Sequence, residues 1–205
     1  LYEKGLIYEG YKSLHVCPRC ETPLSNFEVT LGYKDKKDPS VVVKFPLKRV
    51  KKTFILAWTT TPWTLPGNVL LAVNPNLAYV KVKADKQTFI LAEPRVKEIF
   101  ANKKITAIEK ISLEDLVGKN YEPLYPLADI KKAYRVVKAE FVSAEEGTGI
   151  VHIAPAFGAD DMALGKKENL PFVQHVKMDG TFKDEMGELA GLDLKPRADD
   201  KPESV

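Results

Sequence analysis

The sequence predicts a mainly β fold, a mostly antiparallel and closed β-barrel with a few peripheral α-helices. Three observations lead there. Apolar runs of strand character outnumber helical patterns by about three to one. The β-α alternation expected of a parallel sheet does not run through the chain. Turn clusters such as Asp38-Pro39-Ser40, Asn74-Pro75-Asn76 and Glu145-Glu146-Gly147 separate the runs. With 205 residues, 44% of them hydrophobic, the chain is long enough for one sizeable core and a small appendage.

Residues 1–26 carry few alternating apolar positions and hold Cys17-Pro18-Arg19-Cys20, so they read as a linker segment with a tight knuckle. Two cysteines at this spacing are half of a metal site or a redox pair, because a structural zinc takes four ligands. His15 is a candidate third ligand, although such a histidine is more often a surface residue. Phe27, Val29 and Leu31 alternate as a strand would, and Lys34 to Lys37 form a charged hairpin tip. Strands are then expected at Val41–Phe45, Thr53–Trp58, Val69–Val73, Leu77–Val82 and Thr88–Ala92.

Glu93-Pro94 opens a helix whose stripe is Val96, Ile99 and Phe100, and Ile105–Ile111 returns to strand. Ser112 caps a short helix that ends at Gly118. Pro123 and Pro126 mark an edge-like piece before a strand from Tyr134 through Val137 towards Val142. Gly149–Pro155 is a strand, followed by a loop and a helix opening near Gly158 with Asp160 and Asp161 in its first turn. Val173–Lys177 is a last strand and Met178–Thr181 its turn. Residues 27–183 thus form the main domain, and 184–205 a loosely packed exit segment.

The net charge of +3 is unevenly spread. Residues 184–205 hold seven acids against three bases, which leaves a mildly basic body suited to a phosphate-bearing partner. A solvated lysine-rich surface accounts for that charge equally well. The apolar runs fall far short of the roughly 20 residues a membrane helix needs, and no leader pattern opens the chain, so no membrane partner is expected and the cytoplasm is the default location.

The stretch around which the rest is arranged is Trp58 to Asn68 (WTTTPWTLPGN). Pro62 and Pro66 fix φ and remove two donors, so it is neither a central strand nor a regular helix. It is a rigid connection presenting several short hydroxyls. With the second notable stretch it makes a candidate constellation of Thr59, Thr60, Thr61, His152 and Asp161. Each has a plainer role: Thr favours strands, a strand histidine is usually a bonded core residue, and first-turn carboxylates such as Asp160 usually serve the helix N-terminus. Metal-dependent hydrolysis would need three or more of His152, His175, Asp160 and Asp161 on one ion, without any supporting motif. A threonine nucleophile would have His152 as its one base. No glycine-rich phosphate loop is present.

Trp58 to Asn68, Ala72-Val73-Asn74-Pro75 and Gly147 to Asp161 (GTGIVHIAPAFGADD) together resemble the editing domain inserted into isoleucyl-tRNA synthetase, within the group shared with the valyl and leucyl enzymes. Gly5 to Ser25 resembles the segment leading into that insertion. Thr61-Pro62-Trp63 has the isoleucyl form; valyl and leucyl relatives usually carry arginine in place of Thr61. Gly67 and Ile153 are small departures outside the positions with assigned roles.

The resemblance implies hydrolysis of valyl-tRNA(Ile), and of valyl-adenylate as a further substrate, without a cofactor. It implies the 3′ end of tRNA(Ile) and the rest of the synthetase as partners, valine as product, a monomer, and a zinc knuckle in the full-length enzyme completed by cysteines beyond Val205. By the same resemblance His152 is the pocket floor that excludes isoleucine and Asp161 anchors the α-ammonium. Thr59, Thr60 and Thr61 hold ester, adenosine and water, while Trp63 either stacks on the adenosine or fills the barrel mouth. Two alternatives remain: a valyl-type domain acting on threonyl-tRNA(Val), and a non-catalytic tRNA-binding module.

Overall fold

The computed structural model describes residues 1–35, 37–125 and 130–195. The elements in chain order are β1 (Val16–Cys17), β2 (Thr22–Pro23), α1 (Asn26–Leu31), β3 (Val41–Pro46), β4 (Thr53–Thr59), a 3-10 turn (Pro62–Gly67), β5 (Leu70–Val73), β6 (Tyr79–Ala84) and β7 (Gln87–Ala92). There follow α2 (Val96–Ile99), β8 (Ile105–Ile111), α3 (Leu113–Leu116), β9 (Arg135–Lys138), β10 (Ile150–Ile153), α4 (Ala159–Lys167) and a second 3-10 segment (Asp184–Leu189).

The fold is mainly sheet, as the sequence predicts. Five strands run in the order β3-β4-β7-β6-β8, three in the order β10-β5-β9, and β1-β2 make a two-residue ladder at the knuckle. Two ladders depart from the expected antiparallel scheme, because β4 pairs parallel with β7 and β5 parallel with β9. The chain between each pair is long enough to return to the same edge, which short-range patterning does not reveal.

Continuous ladders do not close a barrel among the described residues. Single bridges do the joining instead: Leu47 pairs with Tyr121 and Asn120 with Arg135, while Ala92 N–H donates to the Thr148 carbonyl at 2.9 Å. The two sheets face each other over one core.

Strand parity sorts side chains into three layers. Phe45, Ile55, Ala57, Leu71, Val73, Ile90, Val136 and Ile150 fill the space between the sheets. The outer face of the larger sheet, with Leu56, Val80, Val82, Phe89 and Leu91, is covered by Val96 and Phe100 at α2. The outer face of the smaller sheet, with Leu70, Ala72, Val137 and Ile153, is covered by Leu164 of α4 and by Leu170. The central strands β4 and β5 are thus buried on both sides, which is why they read as unbroken apolar runs rather than alternating ones.

Two local expectations are corrected. Asn26–Leu31 is a helix, not a strand, because Ser25 and Glu28 form a reciprocal capping box. Val173–Lys177 is not a strand; only Val176 pairs, with Phe182, as an isolated bridge. Residues 184–195 are mostly exposed; Met186 is buried there, Thr181 pairs with Asp193, and Phe182 N–H bonds the Leu192 carbonyl. The expectations for Lys36, Pro126 and 196–205 lie outside the described residues. No helix among those residues is long and apolar enough to cross a membrane.

Candidate active site

The site is organised by the way the chain leaves one sheet for the other. β4 ends at Thr59, the Pro62–Gly67 turn crosses the gap, and β5 begins at Leu70 in the opposite sheet. A 3-10 helix has three residues per turn, so residues three apart eclipse each other, and that brings Thr64 over Thr61. Thr64 N–H and Thr64 Oγ1 both donate to the Thr61 carbonyl, at 3.0 and 2.7 Å. Thr61 N–H donates to Thr59 Oγ1 at 3.0 Å, and the two side-chain hydroxyls are 3.2 Å apart.

The second stretch is delivered by β10, paired antiparallel with β5 so that His152 lies opposite Leu71. Gly147 and Gly149 permit this approach. Both have left-handed backbones, and a Cβ would fall 2.8 Å from Trp58 at Gly147 and 2.3 Å from Ala92 at Gly149. Arg95 locks the preceding loop by donating to the Gly147 and Glu145 carbonyls.

Two contacts join the stretches. His152 Nε2 is 3.1 Å from Thr64 Oγ1, and the Trp63 ring meets Phe157 edge-on with centroids 5.2 Å apart. Since the Thr64 proton is committed to the Thr61 carbonyl, His152 Nε2 is the donor and its Nδ1 is unprotonated. Nδ1 has no hydrogen-bond partner and is buried, as are the unpartnered Trp63 Nε1 and His175 Nδ1. Burial lowers the His152 imidazole to about 4, so the ring is neutral at physiological pH.

Asp161, in the first turn of α4, accepts from Ala154 N–H at 2.9 Å just beyond the end of β10. Burial raises its carboxyl to about 6 against the opposing effect of that bond, with the Asp160 charge adding to the rise. No cation forms an ion pair with Asp161 among the described residues. A buried carboxylate without a cation is suited to receiving one from a ligand.

The sequence-predicted residues divide as follows. Thr59, Thr61 and His152 belong to one hydrogen-bonded chain, whereas Thr60 is exposed. Asp161 is held at the end of the same strand as His152 without bonding to that chain. Trp63 is half-buried against Phe157, which favours filling over stacking on a ligand. These residues line none of the clefts bounded by Trp58 and Arg95, by Lys138 and Leu164, or by Lys48 and Lys119.

Two roles escaped the sequence reading. Thr64 is the link between the stretches; its three-residue spacing from Thr61 across Pro62 was the available signal. His175, itself buried, holds the turn by its Nε2, 2.9 Å from the Trp63 carbonyl, and packs on Phe157 with centroids 4.7 Å apart.

No three His, Cys, Asp or Glu side chains converge as metal ligands among the described residues, so neither a His152-His175-Asp160-Asp161 site nor His15 joining the cysteines is formed. Cys17 and Cys20 do lie together, the Cys20 thiol donating to the Cys17 sulfur at 2.9 Å. That bond lowers the Cys17 thiol and raises that of Cys20. The pair, with Cys17 half-buried and Cys20 exposed, fits half of a thiolate zinc site and would hold such an ion with ligands from elsewhere.

The family of class I tRNA synthetases (I, L, M and V) matches residues 1–179. The isoleucine–tRNA ligase of Thermoplasma volcanium is 47% identical over 186 residues, 90% of this chain and 18% of its own. That of Clostridium tetani is 44% identical over 202 residues, 98% of this chain and 19% of its own. The chain therefore spans about a fifth of the length of these relatives. Among solved structures, one described as GlLeuRS-CP1 aligns with a TM-score of 0.53 at 22% identity, covering 63% of this chain and 58% of that one. The P. knowlesi cytosolic leucyl-tRNA synthetase editing domain aligns at 0.50 and 16% identity, covering 67% and 66%. The likeness to both is one of fold.

Proposed function

The chain belongs to the class I tRNA synthetases (I, L, M and V), and from that premise we propose that it is an editing domain that hydrolyses the ester of valyl-tRNA(Ile), with valyl-adenylate as a further substrate. The observation that carries the reading is the Thr64–His152 hydrogen bond, which fixes a neutral imidazole between the threonine turn and the strand that leads to Asp161. The isoleucyl form of Thr61-Pro62-Trp63 favours valine as the amino acid removed. A valyl-type domain for threonyl-tRNA(Val) is the rival.

A synthetic pocket sized for isoleucine rejects valine weakly, since one methylene is worth about 1–3 kcal/mol; this enzyme is the standard example of why a second sieve is needed. The editing pocket inverts the test by exclusion. His152, held by Thr64 and by its strand, cannot swing away from an extra methylene, and overpacking costs about 1–3 kcal/mol. Asp161 binds the α-ammonium, and the pair restores the carboxylate to its charged form.

Thr59, Thr60 and Thr61 orient the terminal ribose, the ester carbonyl and a water. Water adds to the carbonyl carbon, the oxyanion is held by hydroxyl and amide donors, and the C–O bond to the ribose breaks as its oxygen takes up a proton. An aminoacyl ester is activated enough for positioning to suffice. The low basicity of His152 argues that its part is steric, leaving the proton to a ribose hydroxyl.

On this reading the domain works as a monomeric piece of a cytoplasmic synthetase. It meets the 3′ end of tRNA(Ile), needs no cofactor for hydrolysis, and releases valine. Cys17 and Cys20 contribute to a zinc knuckle of the full-length enzyme. The deciding experiment is deacylation of valyl-tRNA(Ile) and threonyl-tRNA(Val) by the wild type and Asp161→Ala. Valine release that is lost in the variant, with tRNA affinity kept, supports the proposal. Preference for threonyl-tRNA(Val) selects the valyl-type rival, and absence of any release selects a non-catalytic binding module.

A further inference from the structure

A groove of about 880 Å³ opens at the end of the sheets remote from the threonine turn. Thr53, which lines it, stands at the start of β4, and Thr59 at the end, six residues or about 20 Å away. The floor is apolar, with Leu47, Ile90, Ile111 and Leu116. The rim carries Lys48, Arg49, Lys81, Lys83 and Lys119. These cations come from three separate parts of the chain: the β3–β4 turn, strand β6 and the segment after α3.

Asp115 is the one carboxylate of the lining, and it is bonded to Ser112. Of the five cations, Lys83 alone has an ion-pair partner among the described residues, Glu109 at 2.6 Å. Lys81 stands across the β6–β8 ladder from the same Glu109, which leaves Lys48, Arg49 and Lys119 without an ion-pair partner among the described residues.

We propose that this groove is a second RNA-binding surface, one that takes the phosphodiester backbone of the tRNA whose 3′ end is bound at the other end of the domain. The identity of the RNA rests on the function proposed above; the backbone chemistry rests on the groove. An extended polyanion is the fitting ligand because the cations come from three separate parts of the chain around one groove. Contacts to the phosphodiester backbone carry no sequence information and weaken with salt.

The test uses the whole 205-residue chain. Binding of tRNA(Ile) is measured across a salt titration for the wild type, for the triple variant Lys48→Gln, Arg49→Gln, Lys119→Gln, and for a matched control with Lys97, Lys104 and Lys138 changed to Gln. The groove variant should bind about ten-fold more weakly, with a salt slope reduced by about 2, since each lost phosphate contact removes about 0.7–0.9. Its hydrolysis of valyl-adenosine, too short to reach the groove, should be unchanged.

Equal affinity and slope in wild type and groove variant would overturn the proposal. So would an equal loss in the control, which would make the effect one of net charge alone. If the groove variant loses RNA affinity but the wild type cleaves no ester, the surface stands and the editing function falls. Should the triple variant fold poorly, Lys48→Glu on its exposed turn gives the same readout.

Discussion

Replacing Asp161 by asparagine should stabilise the free domain and abolish its editing, and the stabilisation should appear only as pH rises. The carboxyl titrates at about 6 in the fold against 3.8 for an ordinary aspartate, with burial the dominant cause. The folded state thus holds the proton more tightly than the unfolded chain. Stability falls as pH rises from about 4 through about 6, by roughly 3 kcal/mol for a shift of about two units. Asparagine keeps an acceptor for Ala154 N–H and never ionises, so it escapes that loss.

The wild-type curve alone hides the effect. His152 is depressed to about 4 by burial, so its contribution runs the other way, lost as pH falls from about 6.5 through about 4. The difference between variant and wild type removes His152 from the comparison. Urea or thermal unfolding of both proteins from pH 4 to 8 should give no difference at the acid end and about 3 kcal/mol, or roughly 6–12 °C, in favour of the variant above pH 6. A difference independent of pH, or a variant that becomes less stable as pH rises, would refute the claim that Asp161 is an ionised group held without a cation.

Three further outcomes are expected. Thr64→Val leaves the His152 Nε2–H buried without an acceptor, which should cost about 1–3 kcal/mol in urea unfolding and relax discrimination between valyl and isoleucyl esters. Retained stability and selectivity would show that the bond is incidental. Gly149→Ala meets both a left-handed φ of 69° and the Ala92 Cβ, so unfolding measurements should show a loss of at least about 1–3 kcal/mol and a displaced β10. Valine release should fall as pH drops below about 6, where the Asp161 anchor loses its charge, and again above about 8, where the α-ammonium it holds loses its proton; a rate that keeps rising above about pH 8 would point to a different titrating group.

Much of the site was legible because its residues are close in sequence. Thr59 and Thr61 share one loop, and His152 and Asp161 lie on one strand and the helix that follows it. Thr64 went unread although it stands in the same run, because its role depends on the three-residue turn imposed between Pro62 and Pro66. His175 reaches Trp63 from 112 positions away, and no local pattern carries such a contact. The same limit explains the fold. β4 and β5 were recognisable as buried runs, but their parallel partners are set by which distant segment returns to the edge. The strand expected at Phe27–Leu31 was lost to Ser25 and Glu28, whose capping box outweighs three alternating apolar residues. The basic groove draws its rim from Lys48, Lys81 and Lys119, separate along the chain and adjacent only once the sheets face each other.

The most direct test of the account is the ratio of valine to isoleucine released from their tRNA(Ile) esters by the wild type and by His152→Ala. If the Thr64-held imidazole is the element that measures the side chain, the wild type should favour valine by about 10-fold to 200-fold. In the variant the ratio should fall towards one while valine release persists. An unchanged ratio in a folded variant would contradict the assignment of His152 as the floor of the site.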